Sequence, residues 1–165
     1  MAVKRGCSRI VPLLLEWGAQ INIERGDGAT PLSLAVDGED CNTAHLLLDK
    51  GAQINQVDQF GRTLLHRAVE TGNRSVAALL LECGVNINKQ DTDGQSALLR
   101  AVEKGDRNMA FFLLEHGADV GLKDGRGRTP LSVSVQKNDA IMVPLLLQYK
   151  SMESAGQNQS SCRLL

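Results

Sequence analysis

The sequence predicts an all-α repeat solenoid, because two motifs recur along its 165 residues at a fixed spacing. The first motif is a glycine followed two positions later by a hydroxyl residue and four positions later by a leucine, and its glycines are Gly28, Gly61, Gly94 and Gly127. The second is an apolar triplet, two further residues and a glycine, with glycines at Gly18, Gly51, Gly84 and Gly117. Both sets are spaced by 33 residues without slippage, which is typical of stacked helical repeats.

The first unit is predicted to be incomplete. Counting back 33 residues from Ala35 reaches Ala2, inside a first helix whose loop and N-cap are missing. We therefore expect a partial repeat over residues 1–24. A polar capping repeat is normally required where a solenoid stops, so this start also predicts that the chain is a piece of a longer array.

Four full units are predicted, starting near residues 25, 58, 91 and 124. Each opens with a hydroxyl residue at the N-cap of a first helix, where its side chain can accept from the unpaired amides of the first turn. These N-caps are Thr30, Thr63, Ser96 and Thr129. The turn to the second helix is predicted at residues that tolerate positive φ, namely Gly72, Gly105 and Asn138. Glu39 interrupts that series, although Gly38 stands beside it.

The periodicity is predicted to stop at residue 150, where lysine replaces the recurrent glycine. The remaining residues, 151–165, are mostly polar and small and show no helical period. We therefore expect a disordered C-terminal tail over that range.

Written out, the first motif reads TPLSLA, TLLHRA, SALLRA and TPLSVS, and the second reads LLLEWGAQIN, LLLDKGAQIN, LLLECGVNIN and FLLEHGADVG. Residues 1–150 thereby resemble the ankyrin-repeat family, whose 33-residue unit carries a T-P-L-H-x-A signature. The resemblance implies an ankyrin-repeat α-solenoid of four full repeats plus an N-terminal partial repeat, joined by hairpin-like finger loops. It also implies that partners bind to the finger tips and to the exposed side of the first helices, which together line a concave surface.

Composition excludes several classes of protein. The balance of 18 basic and 19 acidic residues gives a net charge of −1, which argues against nucleic acid as a partner. The four cysteines form no CxxC pair and occupy unrelated repeat positions, so no disulfide framework is expected. The sequence shows neither a signal peptide nor a transmembrane segment. We expect a cytoplasmic location, with the nucleus as the alternative.

No catalytic, cofactor-binding or metal site is predicted. The three histidines, His45, His66 and His116, fall at different repeat positions. His66 alone matches the histidine of the family signature, for which the resemblance implies a structural hydrogen-bonding role. Cys41 and His45 are spaced like a pair of metal ligands, but a single pair does not make a metal site.

Carried over by register, the resemblance places a set of partner-binding residues on the finger tips, after the loop glycines and along the first helices. These are Asp27, Gln59, Phe60, Arg62, Arg67, Glu70, Asp93, Gln95, Arg100, Lys104, Arg126, Arg128 and Lys137. Phe60 stands out because an aromatic side chain at a solvated tip has no core to enter, and aromatic residues dominate binding hot spots. The alternative is that Phe60 packs on the adjacent finger, and that the arginines are solvated faces of thin repeats.

Cations gather towards the last full unit, which favours a partner with an acidic patch. They are Lys104, Lys123, Arg126, Arg128 and Lys137, and Asp124 is the acidic residue among them.

The sequence therefore predicts a non-enzymatic adaptor or scaffold that binds a protein or peptide on its concave surface, as a monomer or as part of a longer array. One alternative is a regulatory or substrate-recruiting segment of a larger enzyme. Another is a weakly membrane-tethered adaptor, because Cys162-Arg163-Leu164-Leu165 fits the C-a-a-X prenylation motif. Against prenylation, Arg163 is not aliphatic and no second membrane-anchoring signal lies nearby.

Overall fold

A computed structural model describes residues 11–26 and 28–154. Its regular structure is helical: α1 (Val11–Glu16), α2 (Pro31–Asp37), α3 (Cys41–Asp49), α4 (Leu64–Thr71), α5 (Arg74–Glu82), α6 (Ala97–Lys104), α7 (Arg107–Glu115), α8 (Pro130–Gln136) and α9 (Met142–Ser154). Isolated bridges join Val57 to Thr63 and Gln90 to Ser96 at the bases of two loops. The predicted all-α repeat architecture is confirmed.

The chain divides into two compact units, one up to Asn86 and one from Ile87. In the first unit, α2 packs on α3 and α4, and α5 packs on α3 and α4. In the second unit, α6 packs on α7 and α8, and α8 packs on α9. Within each unit, a first helix thus contacts both its own second helix and the first helix of the next repeat.

The predicted N-caps begin the first helices. Thr30, Thr63 and Thr129 form reciprocal capping boxes with the residue three positions later, and Ser96 accepts from the amide of Leu99. Sequence analysis did not single out the caps of the second helices. Three of those helices begin directly after Asp40, Asn73 and Asp106, each of which accepts from the amide three residues later. Asp139 accepts in the same way from the amide of Met142, where α9 begins.

The turn between the two helices keeps one backbone conformation in every full repeat. Gly72 and Gly105 have φ of 75°, Asn138 has 55°, and Glu39 has 57°. The prediction that Glu39 interrupts the series is therefore wrong for the backbone. The amides of Glu39 and Asp40 donate to carbonyl oxygens of α2 just as the corresponding amides of the other repeats do, and this hydrogen bonding holds a glutamate in a left-handed turn.

The core is aliphatic and follows the repeat register. Leu32, Leu65 and Leu98 are each 1% exposed, and Leu47 and Leu80 are buried on the second helices. The first ten residues, which carry much of the predicted partial repeat, lie outside the described part of the chain. The repeat boundaries stay a prediction.

The last helix is longer than its counterparts. Gly51, Gly84 and Gly117 follow α3, α5 and α7 with φ between 82° and 87°, but Lys150 stands at the equivalent position of the last repeat. Without a residue suited to that conformation, α9 continues through Ser154. The predicted disordered tail is thus corrected for residues 151–154, and its remainder falls outside the described residues.

Candidate partner-binding surface

The loops between repeats are built around an aspartate that sequence analysis did not select. We call them finger 1 (residues 25–29, of which Asp27 is not described), finger 2 (58–62), finger 3 (91–95) and finger 4 (124–128). Fingers 2 to 4 each open with an aspartate, Asp58, Asp91 and Asp124. Each Oδ1 accepts from the amides two and four residues later, at 2.8–3.0 Å. One carboxylate therefore closes each of these fingers.

In fingers 2 and 4, hydrogen bonds to the aspartate stabilise its ionised form. Burial alone would raise the pKa of the Asp58 carboxyl, but hydrogen bonds from the Arg62 side chain and from the Arg62 and Phe60 amides outweigh it. The net effect lowers the pKa of Asp58. The pKa of Asp124 is lowered in the same way, against burial, by its bonds to Arg128 and the Arg126 amide. Fingers 2 and 4 therefore favour the charged form of Asp58 and Asp124.

Two of the predicted binding arginines are held by acidic residues of the protein itself. Arg62 bonds Asp58 through Nε at 2.8 Å and reaches Glu70 of α4 through Nη1 at 3.0 Å. Arg128 bonds Asp124 through Nε at 2.8 Å and Glu103 of α6 through Nη1 at 2.8 Å. Each guanidinium therefore joins a finger to a first helix.

Glu103 serves fingers 3 and 4 at the same time. Its Oε2 accepts from Gln95 of finger 3 at 2.9 Å, while its Oε1 pairs with Arg128 of finger 4. Arg62 and Gln95 each bond the acid eight positions later, but the residue eight positions after Arg128 is Gln136. Arg128 therefore uses the glutamate of the preceding repeat.

Arg67 and Arg100 brace the fingers from the first helices. Arg67 bonds Asp37 at 2.6 Å and Asp58 at 3.4 Å, and Arg100 bonds Asp91 at 2.8 Å. Both side chains are 19% exposed. Most of each side chain is therefore covered by the protein, so a partner could reach only a minor part of it.

The finger tips carry side chains that remain accessible. Phe60 is 51% exposed, and its ring lies 5.0 Å from the Arg62 guanidinium carbon, which is cation–π geometry. Gln59, Asp93 and Arg126 are also exposed. The amides of Asp93 and Arg126 donate to Asp91 and Asp124, while both residues are exposed and can present their charged side chains to a partner.

Fingers 3 and 4 enclose a polar cleft of about 440 Å³ in the second unit. The amide of Gly125 donates to the carbonyl oxygen of Asp93 at 2.7 Å, which fixes the two tips side by side. A Cβ on Gly94 would lie 2.8 Å from that amide nitrogen, so the approach requires glycine. Arg126 and Glu103 both line this cleft.

The described residues offer no metal centre, since they contain no group of three or more potential His, Cys, Asp or Glu ligands. His66 is 1% exposed, and its Nδ1 lies 2.9 Å from the Thr63 hydroxyl and 3.2 Å from the Thr63 amide nitrogen. This geometry gives His66 a structural place in the N-cap of α4.

A family model for ankyrin repeats matches the chain in three overlapping copies, over residues 1–91, 37–124 and 83–161. The chain belongs to the ankyrin-repeat family. Ankyrin repeats are generally protein–protein interaction modules and are typically non-catalytic. Comparison with curated proteins finds no match to this ankyrin array. Within the described ranges, no helix is both long and apolar enough to cross a bilayer.

The predicted binding residues of this ankyrin protein separate into two groups. Phe60, Gln59, Asp93, Arg126 and Lys104 are exposed, although Lys104 makes other interactions. The other described members form bonds within the protein: Arg62, Arg67, Glu70, Gln95, Arg100, Arg128 and Lys137, whose Nζ donates to the Glu103 carbonyl oxygen. Asp27 and Cys162 lie outside the described residues.

The missed finger aspartates were visible in the sequence. Asp58, Asp91 and Asp124 recur at the 33-residue spacing, three positions before each loop glycine. Arg25 replaces aspartate in finger 1, which keeps the backbone bond from the Arg25 amide to the Ala29 carbonyl oxygen at 2.9 Å. An acidic residue at constant register on a loop is the pattern that would have identified them.

Proposed function

We propose that this chain is a non-enzymatic adaptor or scaffold that binds a protein or peptide through its finger face. The finger face is defined as the finger tips together with the adjoining residues of the first helices. It includes the predicted set Asp27, Gln59, Phe60, Arg62, Arg67, Glu70, Asp93, Gln95, Arg100, Lys104, Arg126, Arg128 and Lys137. The proposal extends the interaction role that is general for the family.

The observation that carries the proposal is the ionic bracing of the fingers. Asp58, Arg62 and Glu70 fix finger 2, and Asp124, Arg128 and Glu103 fix finger 4. Loops that are already ordered lose little conformational entropy on association, so more of the contact energy is available for affinity. The braced arginines support the surface, and the exposed tips provide its contacts.

Two contact types are proposed. Phe60 in the first unit provides an apolar anchor, and its half-exposed ring suits a small hydrophobic pocket on a partner. Arg126 in the second unit provides a cation at the rim of the cleft, which is consistent with an acidic patch on the partner. Arg128 contributes less to that attraction, because Asp124 and Glu103 offset its charge. The proposed location is the cytoplasm, with the nucleus as the alternative.

The test compares proteins captured by the wild type with those captured by a tip variant, Phe60→Ala/Asp93→Ala/Arg126→Ala, using quantitative mass spectrometry. A control variant, Lys50→Ala/Glu82→Ala/Glu115→Ala, replaces the same number of exposed residues at the ends of second helices. We expect the tip variant to lose specific partners and the control to retain them, with both showing wild-type circular dichroism. Loss in the control alone, or identical partners for all three proteins, would reject the finger face.

A further inference from the structure

The tip residues of fingers 2 to 4 occupy the same backbone position but differ in chemistry. Phe60, Asp93 and Arg126 are spaced by 33 residues. The amide of each donates to the Oδ1 atom of its finger aspartate at 2.9–3.0 Å, so the same bond fixes the backbone in all three fingers. All three residues are exposed. One register position therefore presents an apolar, an anionic and a cationic residue in turn.

Asp93 and Arg126 lie close together in the second unit. The amide of Gly125, the residue before Arg126, donates to the Asp93 carbonyl oxygen at 2.7 Å. Adding the covalent bonds on either side of this hydrogen bond limits the distance between the Cα atoms of Asp93 and Arg126 to roughly 11 Å. Both residues also line the polar cleft of about 440 Å³. An anionic and a cationic residue therefore border the same cleft.

The charged groups of Asp93 and Arg126 do not neutralise each other. Within the described part of the chain, neither the Asp93 carboxylate nor the Arg126 guanidinium takes part in a hydrogen bond or an ion pair, and only the backbone of each residue is bonded. The other charged side chains of the cleft are paired, because Arg128 contacts both Asp124 and Glu103. The cleft therefore offers one anion and one cation that a ligand can neutralise.

This arrangement disfavours a ligand that carries charges of one sign. An acidic group that approaches Arg126 comes near the Asp93 carboxylate, and a basic group that approaches Asp93 comes near the Arg126 guanidinium. Placing like charges side by side opposes association, and such repulsion is a common source of specificity. A ligand that brings a charge of the opposite sign to each residue avoids both repulsions.

We propose that the cleft between fingers 3 and 4 recognises a partner segment that carries a basic and an acidic side chain close together in sequence. The basic group pairs with Asp93 and the acidic group with Arg126. At about 3.3 Å per extended residue, a distance of roughly 11 Å corresponds to a separation of up to about four positions. This inference rests on the proposed function and deepens it, because it replaces a generally acidic partner by a segment with paired opposite charges.

Selection from a phage-displayed library of random 12-residue peptides tests this pairing on the full chain. The library is first depleted on the double variant Asp93→Asn/Arg126→Gln and then enriched on the wild type, so that the surviving peptides depend on these two charges. We expect the enriched peptides to contain an acidic and a basic residue within about four positions of each other. Fluorescence anisotropy then measures the Kd of a synthetic copy of the most enriched peptide.

Asp93→Asn and Arg126→Gln should each raise this Kd by about three- to five-fold, the upper part of the range for exposed ion pairs. The matched controls Glu115→Gln and Lys50→Gln remove the same charges from exposed residues at the ends of second helices and should leave the Kd unchanged. The charge-swap variant Asp93→Arg/Arg126→Asp keeps the net charge. It should lose the peptide and bind a second peptide in which the acidic and basic residues are exchanged, with a wild-type circular dichroism spectrum.

Two results would show that the cleft does not recognise paired charges. The first is a Kd that rises for only one of the two single substitutions, which would mean that the cleft selects one charge alone. The second is retention of the original peptide by the charge-swap variant. If no peptide is enriched, this inference fails by itself, since the finger face is judged separately by the proteins that the variant Phe60→Ala/Asp93→Ala/Arg126→Ala loses.

Discussion

Replacing Glu39 by glycine tests whether the left-handed turn between α2 and α3 lowers stability when a residue with a Cβ occupies it. Glu39 is exposed and has φ of 57°, in the conformation that Gly72 and Gly105 adopt at 75°. The left-handed region costs a residue with a Cβ about 1–2 kcal/mol. Glycine removes that cost but adds about 0.5–1 kcal/mol of unfolded-state entropy. We therefore expect Glu39→Gly to raise the free energy of unfolding by about 0.5–1 kcal/mol.

Urea unfolding followed by circular dichroism measures this change through the transition midpoint at constant m-value. A gain of 1 kcal/mol would raise the melting temperature by about 2–4 °C in a chain of this size. Glu39→Ala is the matched control, because it removes the carboxylate but keeps the Cβ. We expect its stability to stay near that of the wild type.

The reverse substitution, Gly72→Glu, should lower the free energy of unfolding by a similar amount, since it places a Cβ in the same turn of the next repeat. Equal stabilisation by Glu39→Gly and Glu39→Ala would show that charge, and not the turn conformation, limits stability at this position. A destabilising Glu39→Gly would refute the argument outright.

Three further predictions concern the core and the fingers. Leu80 is fully buried, and Leu80→Ala should lower the free energy of unfolding, measured by urea titration, by about 2–5 kcal/mol. Leu147 is half-exposed, so the control Leu147→Ala should change it little. Gly94→Ala should weaken the pairing of fingers 3 and 4, because its Cβ would meet the Gly125 amide at 2.8 Å; unchanged exchange of that amide proton would contradict this. Because the pKa of Asp58 is lowered on folding, its stabilisation is present above the unfolded pKa of about 3.9 and is lost as pH falls through the folded value. The free energy of unfolding of Asp58→Asn should therefore fall less than that of the wild type as the pH is lowered through the acid range. An equal fall in both proteins would show that Asp58 is not the group responsible.

The fold could be predicted from the sequence because its main determinants are local and repeated. Thr30 and Thr63 cap their helices through contacts three residues away, and this spacing is readable from sequence alone. The 33-residue register then places each leucine of the core. Glu39 shows where residue identity misleads, since the packed helices on both sides impose a turn that a glutamate does not favour.

The finger face was harder to predict because its bonds join residues that are distant in sequence. Arg128 pairs with Glu103 at 2.8 Å although 25 positions separate them, because the fold brings finger 4 next to this residue of α6. Arg62 and Glu70 are too far apart to form a standard helical pair, and Arg62 lies on a loop. Sequence analysis therefore selected the arginines as partner contacts and did not anticipate that the protein engages their guanidinium groups itself.

The sharing of Glu103 sets a limit on how this array can be recombined. A repeat moved as a 33-residue cassette would carry Arg128 away from its glutamate and leave Gln136 at the position where Glu70 serves finger 2. Repeat-shuffled chimeras should therefore inherit Glu103 together with Arg128, or acquire Gln136→Glu in compensation. The smallest transplantable piece of this protein is in that sense a repeat plus the first helix that precedes it.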